Sequence, residues 1–168
     1  PVVVCMFSDR GADSGAIATA NYTAREFGVK SGLSILSAKQ KLKNRTDSAF
    51  LPADFEYYSD MSEKSMNIIK KFADVFEYVG RDEAYLDVTE KVELDFTKAS
   101  HIAQQIKNEV REKTKLTCSV GISPNKLLSK IASGYKKPDG LTTVTPDNVS
   151  EFMETLNLGD IHGIGKKT

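Results

Sequence analysis

Cysteine is scarce: 168 residues contain two, Cys5 and Cys118, far apart and without C-x-x-C spacing. Both lie in apolar, strand-like runs, so they read as buried thiols of a protein kept in a reducing cytoplasm, and a paired-cysteine redox or metal motif is excluded. An excess of either charge is also lacking, since 23 Lys and Arg balance 23 Asp and Glu. A whole-domain basic footprint is therefore excluded, and any nucleic-acid reading must rest on local sites. No apolar stretch approaches the roughly 20 residues that span a bilayer, and the start carries no secretory pattern. The expectation is a soluble, cytoplasmic protein. Repeats and low-complexity tracts are missing, and nothing reads as a linker before about Asn157.

What is present is an ordinary globular composition, 40% hydrophobic and 27% charged. At this length it is enough for one core, hence one compact domain plus an edge. The chain opens on Pro1-Val2-Val3-Val4-Cys5 and closes on Gly163-Ile164-Gly165-Lys166-Lys167-Thr168, and both ends read as cuts through a longer protein.

Val2 to Phe7 is a continuous apolar run, expected to be a strand buried on both faces. A loop over Gly11 to Gly15 precedes a short strand at Ala16–Thr19 and a helix through Arg25, which Gly28 ends. A second helix is expected from Ser34 to Leu42, with Ile35, Ala38 and Leu42 on one face. The spacing of Met61, Ile68, Phe72 and Val75 predicts a long helix over 54–76. Tyr85–Val88 is strand-like, Ser100–Val110 is an amphipathic helix, and Leu116–Ile122 is strand-like again. Ser123-Pro124 reads as an N-cap with proline in the first turn of a helix striped by Leu127, Leu128 and Ile131, and Thr145-Pro146 repeats the device. Strands alternating with helices point to an α/β or α+β domain with helices packed on a mixed sheet.

One feature asks for more than packing. Asp82-Glu83 enters the apolar segment Tyr85–Val88, and acid pairs at the mouth of a buried strand are costly unless paired or metal-bound. Two hard cations about 4 Å apart, held by carboxylates and substrate phosphates, activate a 3′-hydroxyl and stabilise leaving pyrophosphate. Adjacent strand residues point to opposite faces, so both acids reach one site only where the strand begins or bends, and Gly80 permits a bend. The alternative is a solvated turn that happens to carry Arg81, Asp82 and Glu83. On the residues alone, Tyr22 reads as a half-buried core aromatic and Arg25 as a surface helix charge. Lys126 and Lys130, one turn apart beside Leu127-Leu128, read as ordinary solvated lysines.

Four segments carry a resemblance. Ala18-Thr19-Ala20-Asn21-Tyr22-Thr23-Ala24-Arg25, followed by Phe27-Gly28-Val29-Lys30-Ser31-Gly32, resembles the A-x-N-Y-x-A-R…G-V-x-x-G segment of Y-family, translesion-type DNA polymerases. Asp82–Val88 resembles the family's D-E-A-Y-L-D block, Ser119–Lys130 its S-x-G-I-x-x-N-K-x-L-A-K block, and Lys136-Lys137-Pro138-Asp139-Gly140 its K-P-x-G. They occur in family order, cover nearly the whole chain and are most similar to the DinB branch of archaea and bacteria.

The resemblance implies a ferredoxin-like palm sheet backed by helices, with residues 1–9 a palm strand, 10–50 the fingers, 51–157 the rest of the palm and 158–168 the start of a helix-hairpin-helix thumb. It makes Asp82 and Glu83 ligands of catalytic Mg2+, two ions per complete site. Thr19, Tyr22, Arg25 and Lys137 become contacts to the triphosphate of an incoming deoxynucleotide, as suits a clamp built from a guanidinium fork, hydroxyls and an ammonium. Lys126, Lys130, Gly163, Gly165 and Lys166 become candidates for DNA phosphates, the two glycines by letting backbone N–H groups approach. Implied partners are primer–template DNA, deoxynucleoside triphosphates and a sliding clamp.

The sequence departs from the family pattern in two ways. The block that supplies another metal-binding aspartate and the steric gate against ribonucleotides would precede Pro1, so little or no polymerase activity is expected of this chain alone. Gly80-Arg81 stands where a hydroxyl and an aliphatic residue are usual, and the arginine is expected at the core edge or paired with Asp82. Two other functions are compatible with a palm: a nucleotide cyclase, against which the A-x-N-Y-x-A-R segment and the glycine hairpin argue, and a catalytically idle DNA-binding or scaffold module, against which the intact acid pair argues.

Overall fold

The computed structural model describes residues 1–11, 13–161 and 164. The chain divides into two compact units, Pro1–Tyr57 and Tyr58–Thr168, each with its own apolar cluster. Composition alone predicts one core; the strands instead form separate sheets, and each unit buries its own apolar face.

In the first unit, β1 (Val2–Phe7) is the middle of a three-stranded sheet. It pairs antiparallel with β2 (Gly15–Ala20) and parallel with β3 (Ala49–Pro52). The apolar run does not bury both faces: Val3 and Cys5 are closed off while Val2 and Met6 are exposed, because the pleat sends alternate side chains to opposite sides. The covered side carries α1 (Tyr22–Glu26) and α2 (Ile35–Lys41). Ile17, Ala24, Val29, Ile35, Ala38 and Leu42 close the core with Val3 and Cys5. Asn21 caps α1, its Oδ1 accepting from the amides of Ala24 and Val2 at 3.0 Å each. Ser34 caps α2 through the Ser37 amide at 3.1 Å. Gly28, at φ +75°, ends α1 as expected. β3 has no counterpart among the sequence expectations, since four residues closed by a proline give no readable period.

The division falls in the first turn of α3 (Phe55–Ile69). A 3-10 turn over Lys70–Phe72 follows, and β4 (Val75–Gly80) begins where the apolar spacing predicts a helix through Phe76. Ala73 leaves the helical region at ψ 149°, and Val75, a member of the predicted buried stripe, is exposed. β4 pairs antiparallel with β5 (Glu83–Asp87). After α4 (Thr89–Val92), Asp95 caps α5 (Phe96–Thr114) by accepting from the amides of Thr97 and Lys98. Ala99, Ala103, Ile106 and Val110 form its buried face. β6 (Val120–Ile122) and β7 (Leu141–Thr143) pair in parallel, with α6 (Lys126–Tyr135) between them in sequence. Parallel strands need such a crossover. β6 is shorter than predicted, with Leu116 exposed before it. Asn125, not Ser123, caps α6, accepting from the Leu128 amide at 2.9 Å. Thr145 does open a capping box, before α7 (Val149–Glu154).

Ile68, Ile106 and Val110 form the second core, with Ile69, Phe72, Leu86, Ile102 and Cys118 packed at its edge. Helices α3 and α5 thus back the hairpin strand β5, the mixed α/β arrangement expected. Among the described residues no helix is long and apolar enough to cross a membrane. Cys5 is buried and Cys118 partly so; burial pushes both thiols up, which keeps them protonated and inert.

Candidate functional site

Many signature residues have structural duties. Asn21 and Asn125 are helix caps, and Ala24 and Val29 are fully buried. Gly121 lies so close to α6 that a Cβ there would stand 2.1 Å from the Ser129 carbonyl oxygen and 2.4 Å from the Ser133 nitrogen. These positions explain the fold, leaving the exposed polar members of the same motifs for chemistry.

In the first unit, Thr19 lies near the end of β2, Tyr22 and Arg25 sit on α1, and all three are exposed. The turn between strand and helix brings them together. Nε of Arg25 donates to the Ala20 carbonyl at 2.8 Å, Nη2 to Oγ1 of Thr19 at 3.5 Å, and the guanidinium carbon stands 5.1 Å from the Tyr22 ring centroid. One edge of the guanidinium is anchored to backbone and its plane is flanked by an aromatic. A fork held this way loses little entropy when it meets a phosphate.

In the second unit, Gly80 pairs with Glu83, so Arg81 and Asp82 form the turn of the β4–β5 hairpin, with a register shift at Val79. The acid pair therefore sits at the start of a strand, where both carboxylates can serve one side. The bend comes from the turn and register shift; Gly80 itself has an ordinary negative φ and open space around it. The Arg81 carbonyl accepts from the Ser62 hydroxyl of α3, fixing the turn. Asp82 is exposed and Glu83 half-buried.

Lys126 and Lys130, one turn apart on α6, both reach this hairpin. Lys126 pairs with Glu77 of β4 and lies 5.5 Å from the Tyr85 ring centroid, and Lys130 pairs with Glu83. The two lysines expected to be solvated or bound to DNA are thus held by acids. Lys137 is exposed on the turn after α6, two residues before Asp139. Gly163, Gly165 and Lys166 lie outside the described residues.

Sequence reasoning misses Lys107, Glu77 and Ser62. For Lys107 a signal exists, because it falls on the same helical face as Ala103, Ile106 and Val110, where a charge needs partners. Glu77 and Ser62 look like ordinary surface residues in sequence.

Asp82 and Glu83 offer two adjacent carboxylates, and no group of three or more His, Cys, Asp or Glu that could hold a metal ion gathers among the described residues. That donor set suits a hard cation such as Mg2+, which commonly takes one or two carboxylates and completes its shell with water and substrate phosphates.

The family model described as impB/mucB/samB matches residues 1–134. A DNA polymerase IV of Nitrosopumilus maritimus is 69% identical over the whole chain, which covers 46% of that relative, and one of Saccharolobus solfataricus is 44% identical with 47% covered. The chain thus spans about half the length of these curated relatives. A crystal structure of DinB from Sulfolobus solfataricus superimposes with a TM-score of 0.92 at 42% identity, over 99% of this chain and 47% of that one. An insertion ternary complex of Dbh DNA polymerase gives 0.90 at 43% identity, with the same coverage.

Proposed function

Because the chain belongs to the impB/mucB/samB family, the Y-family of DNA polymerases, we propose that its 168 residues serve template-directed DNA synthesis of the translesion type. Residues 10–50 are the fingers, 1–9 and 51–157 the palm, and 158–168 the start of the thumb. The observation that carries the reading is the Arg25 cluster: a guanidinium fixed by the Ala20 carbonyl and flanked by Thr19 and Tyr22, on residues that no core or cap requires.

In this reading Thr19, Tyr22 and Arg25 bind the triphosphate of an incoming deoxynucleotide, and Lys137 adds an ammonium to the same group. Asp82 and Glu83 hold Mg2+, which when bound lowers the barrier to attack by a primer hydroxyl and stabilises the departing pyrophosphate. Lys130 balances the charge of Glu83. Lys126, Lys130, Gly163, Gly165 and Lys166 are the DNA-phosphate contacts, the two lysines exchanging their acid partners for the backbone of primer–template DNA. A sliding clamp is a partner of the polymerase, and its compartment is the cytoplasm.

Calorimetric titration of a deoxynucleoside triphosphate with and without Mg2+ tests the proposal. Binding should depend on the metal, lose about tenfold in affinity on Arg25→Ala, and lose its metal dependence on Asp82→Asn/Glu83→Gln. Binding indifferent to all three substitutions would sink it.

A further inference from the structure

We propose that Lys107 is a positioning residue for nucleotide binding, acting through Asp139 to set the loop that presents Lys137. The inference rests on the triphosphate role of Lys137 proposed above.

Lys107 sits on the buried face of α5 and is only 8% exposed. Its Nζ donates to the Cys118 carbonyl at 2.8 Å, to the Asp139 carbonyl at 2.8 Å and to the Asp139 carboxylate. An ammonium has three protons, and each finds an acceptor here. Two of the three acceptors belong to one residue, two positions after Lys137. Arg111, one turn further along α5, meets the other carboxylate oxygen of Asp139 at 3.2 Å.

Asp139 itself has φ +53°, in the left-handed region that non-glycine residues seldom occupy. Holding its carbonyl and its carboxylate at once fixes that backbone, as strained residues at working sites require. The neighbouring Gly140 amide donates to the Ser119 hydroxyl at 3.1 Å, and its carbonyl accepts from Val120 at 3.0 Å. The downstream end of the loop is thereby fastened to α5 and β6, while Lys137 stays exposed. A need to pack α5 against β6 does not explain this. An apolar side chain would close that contact without the cost of burying an ammonium, whereas only a multiple donor grips Asp139 by both groups.

The test is a double-mutant cycle on the protein at its natural full length, reading the Kd for a deoxynucleoside triphosphate with Mg2+, and the melting temperature of each variant. Lys137→Ala should weaken binding, and Lys107→Met should weaken it about tenfold through misplacement of the loop. In the Lys137→Ala background, Lys107→Met should then add almost nothing, and Lys107→Arg should restore part of the affinity. Should Lys107→Met fail to fold, Asp139→Asn takes its place in the same cycle. If Lys107→Met costs the same factor in both backgrounds, or nothing in either, its role is structural and the inference falls alone. If Lys137→Ala leaves the Kd unchanged, the phosphate role of Lys137 falls and takes the inference with it.

Discussion

Nζ of Lys130, on the second turn of α6, forms an ion pair with Oε1 of Glu83 at the start of β5. A carboxylate proposed to bind a cation thus already rests against one. The lysine is 25% exposed in its side chain and the glutamate 41%, so solvent screens the pair and its worth is on the order of 1 kcal/mol. A divalent ion at Glu83 feels the same ammonium as a repulsion. Lys130→Met should therefore tighten Mn2+ binding roughly fivefold, the factor equivalent to about 1 kcal/mol, as measured by electron paramagnetic resonance of the free ion. Weaker binding would mean instead that Lys130 holds Glu83 in the pose the metal needs.

Gly121 explains why β6 and α6 can lie so close. An alanine Cβ there would meet backbone on two sides, at 2.1 Å and 2.4 Å, and backbone in a helix cannot rotate away. Gly121→Ala should cost about 3 kcal/mol or more, read as a drop in urea midpoint. Gly134, in the last turn of α6, is the control, because a Cβ added there would meet nothing within 4 Å. Gly134→Ala should be neutral or stabilising by about 0.5 kcal/mol.

The sequence is most legible where local chemistry decides structure. Ile35, Ala38 and Leu42 share one predicted helical face and are all buried, and Gly28 and Thr145 punctuate as their residue types suggest. It is least legible where partners come from far along the chain. β3 and β7 are short strands whose identity depends on pairing with β1 and β6. Val75 continues a helical period, yet belongs to a strand because Asp87 lies opposite it. The candidate site divides in the same way. Tyr22, Arg25, Asp82, Glu83 and Lys137 stand out through their motifs, and the structure leaves them exposed or half-buried at turns and element ends. The pairing of Lys130 with Glu83 and of Lys107 with Asp139 spans 47 and 32 residues, a separation that no local pattern reports.

Arg45 binds Asp47 through two parallel bonds, Nε to Oδ1 at 2.8 Å and Nη2 to Oδ2 at 2.7 Å, in the segment between α2 and β3. This bidentate contact, with the arginine's charge, holds the Asp47 carboxyl down at about 2. A carboxylate with a depressed folded pKa stabilises above its ordinary value, 3.8 here, and loses that contribution as pH falls towards about 2. Carboxyl carbon NMR should show Asp47 still ionised at about pH 3, and Arg45→Gln should return its midpoint towards the ordinary value. A midpoint unmoved by Arg45→Gln would show that the arginine is not the cause.

Arg25→Lys separates charge from geometry at the proposed triphosphate clamp. Lysine keeps the positive charge on a flexible stem, but cannot both donate to the Ala20 carbonyl, as Arg25 does at 2.8 Å, and offer a planar pair of donors to a phosphate. Nor can it present a guanidinium plane to Tyr22, whose centroid is 5.1 Å away. If the anchored fork is what binds, Arg25→Lys should lose about tenfold in deoxynucleotide affinity, nearly as much as Arg25→Ala. Its melting temperature should barely move, because Arg25 is exposed and closes no core. Affinity equal to wild type would show that a positive charge suffices there, and that the contacts to Ala20, Thr19 and Tyr22 are incidental to binding.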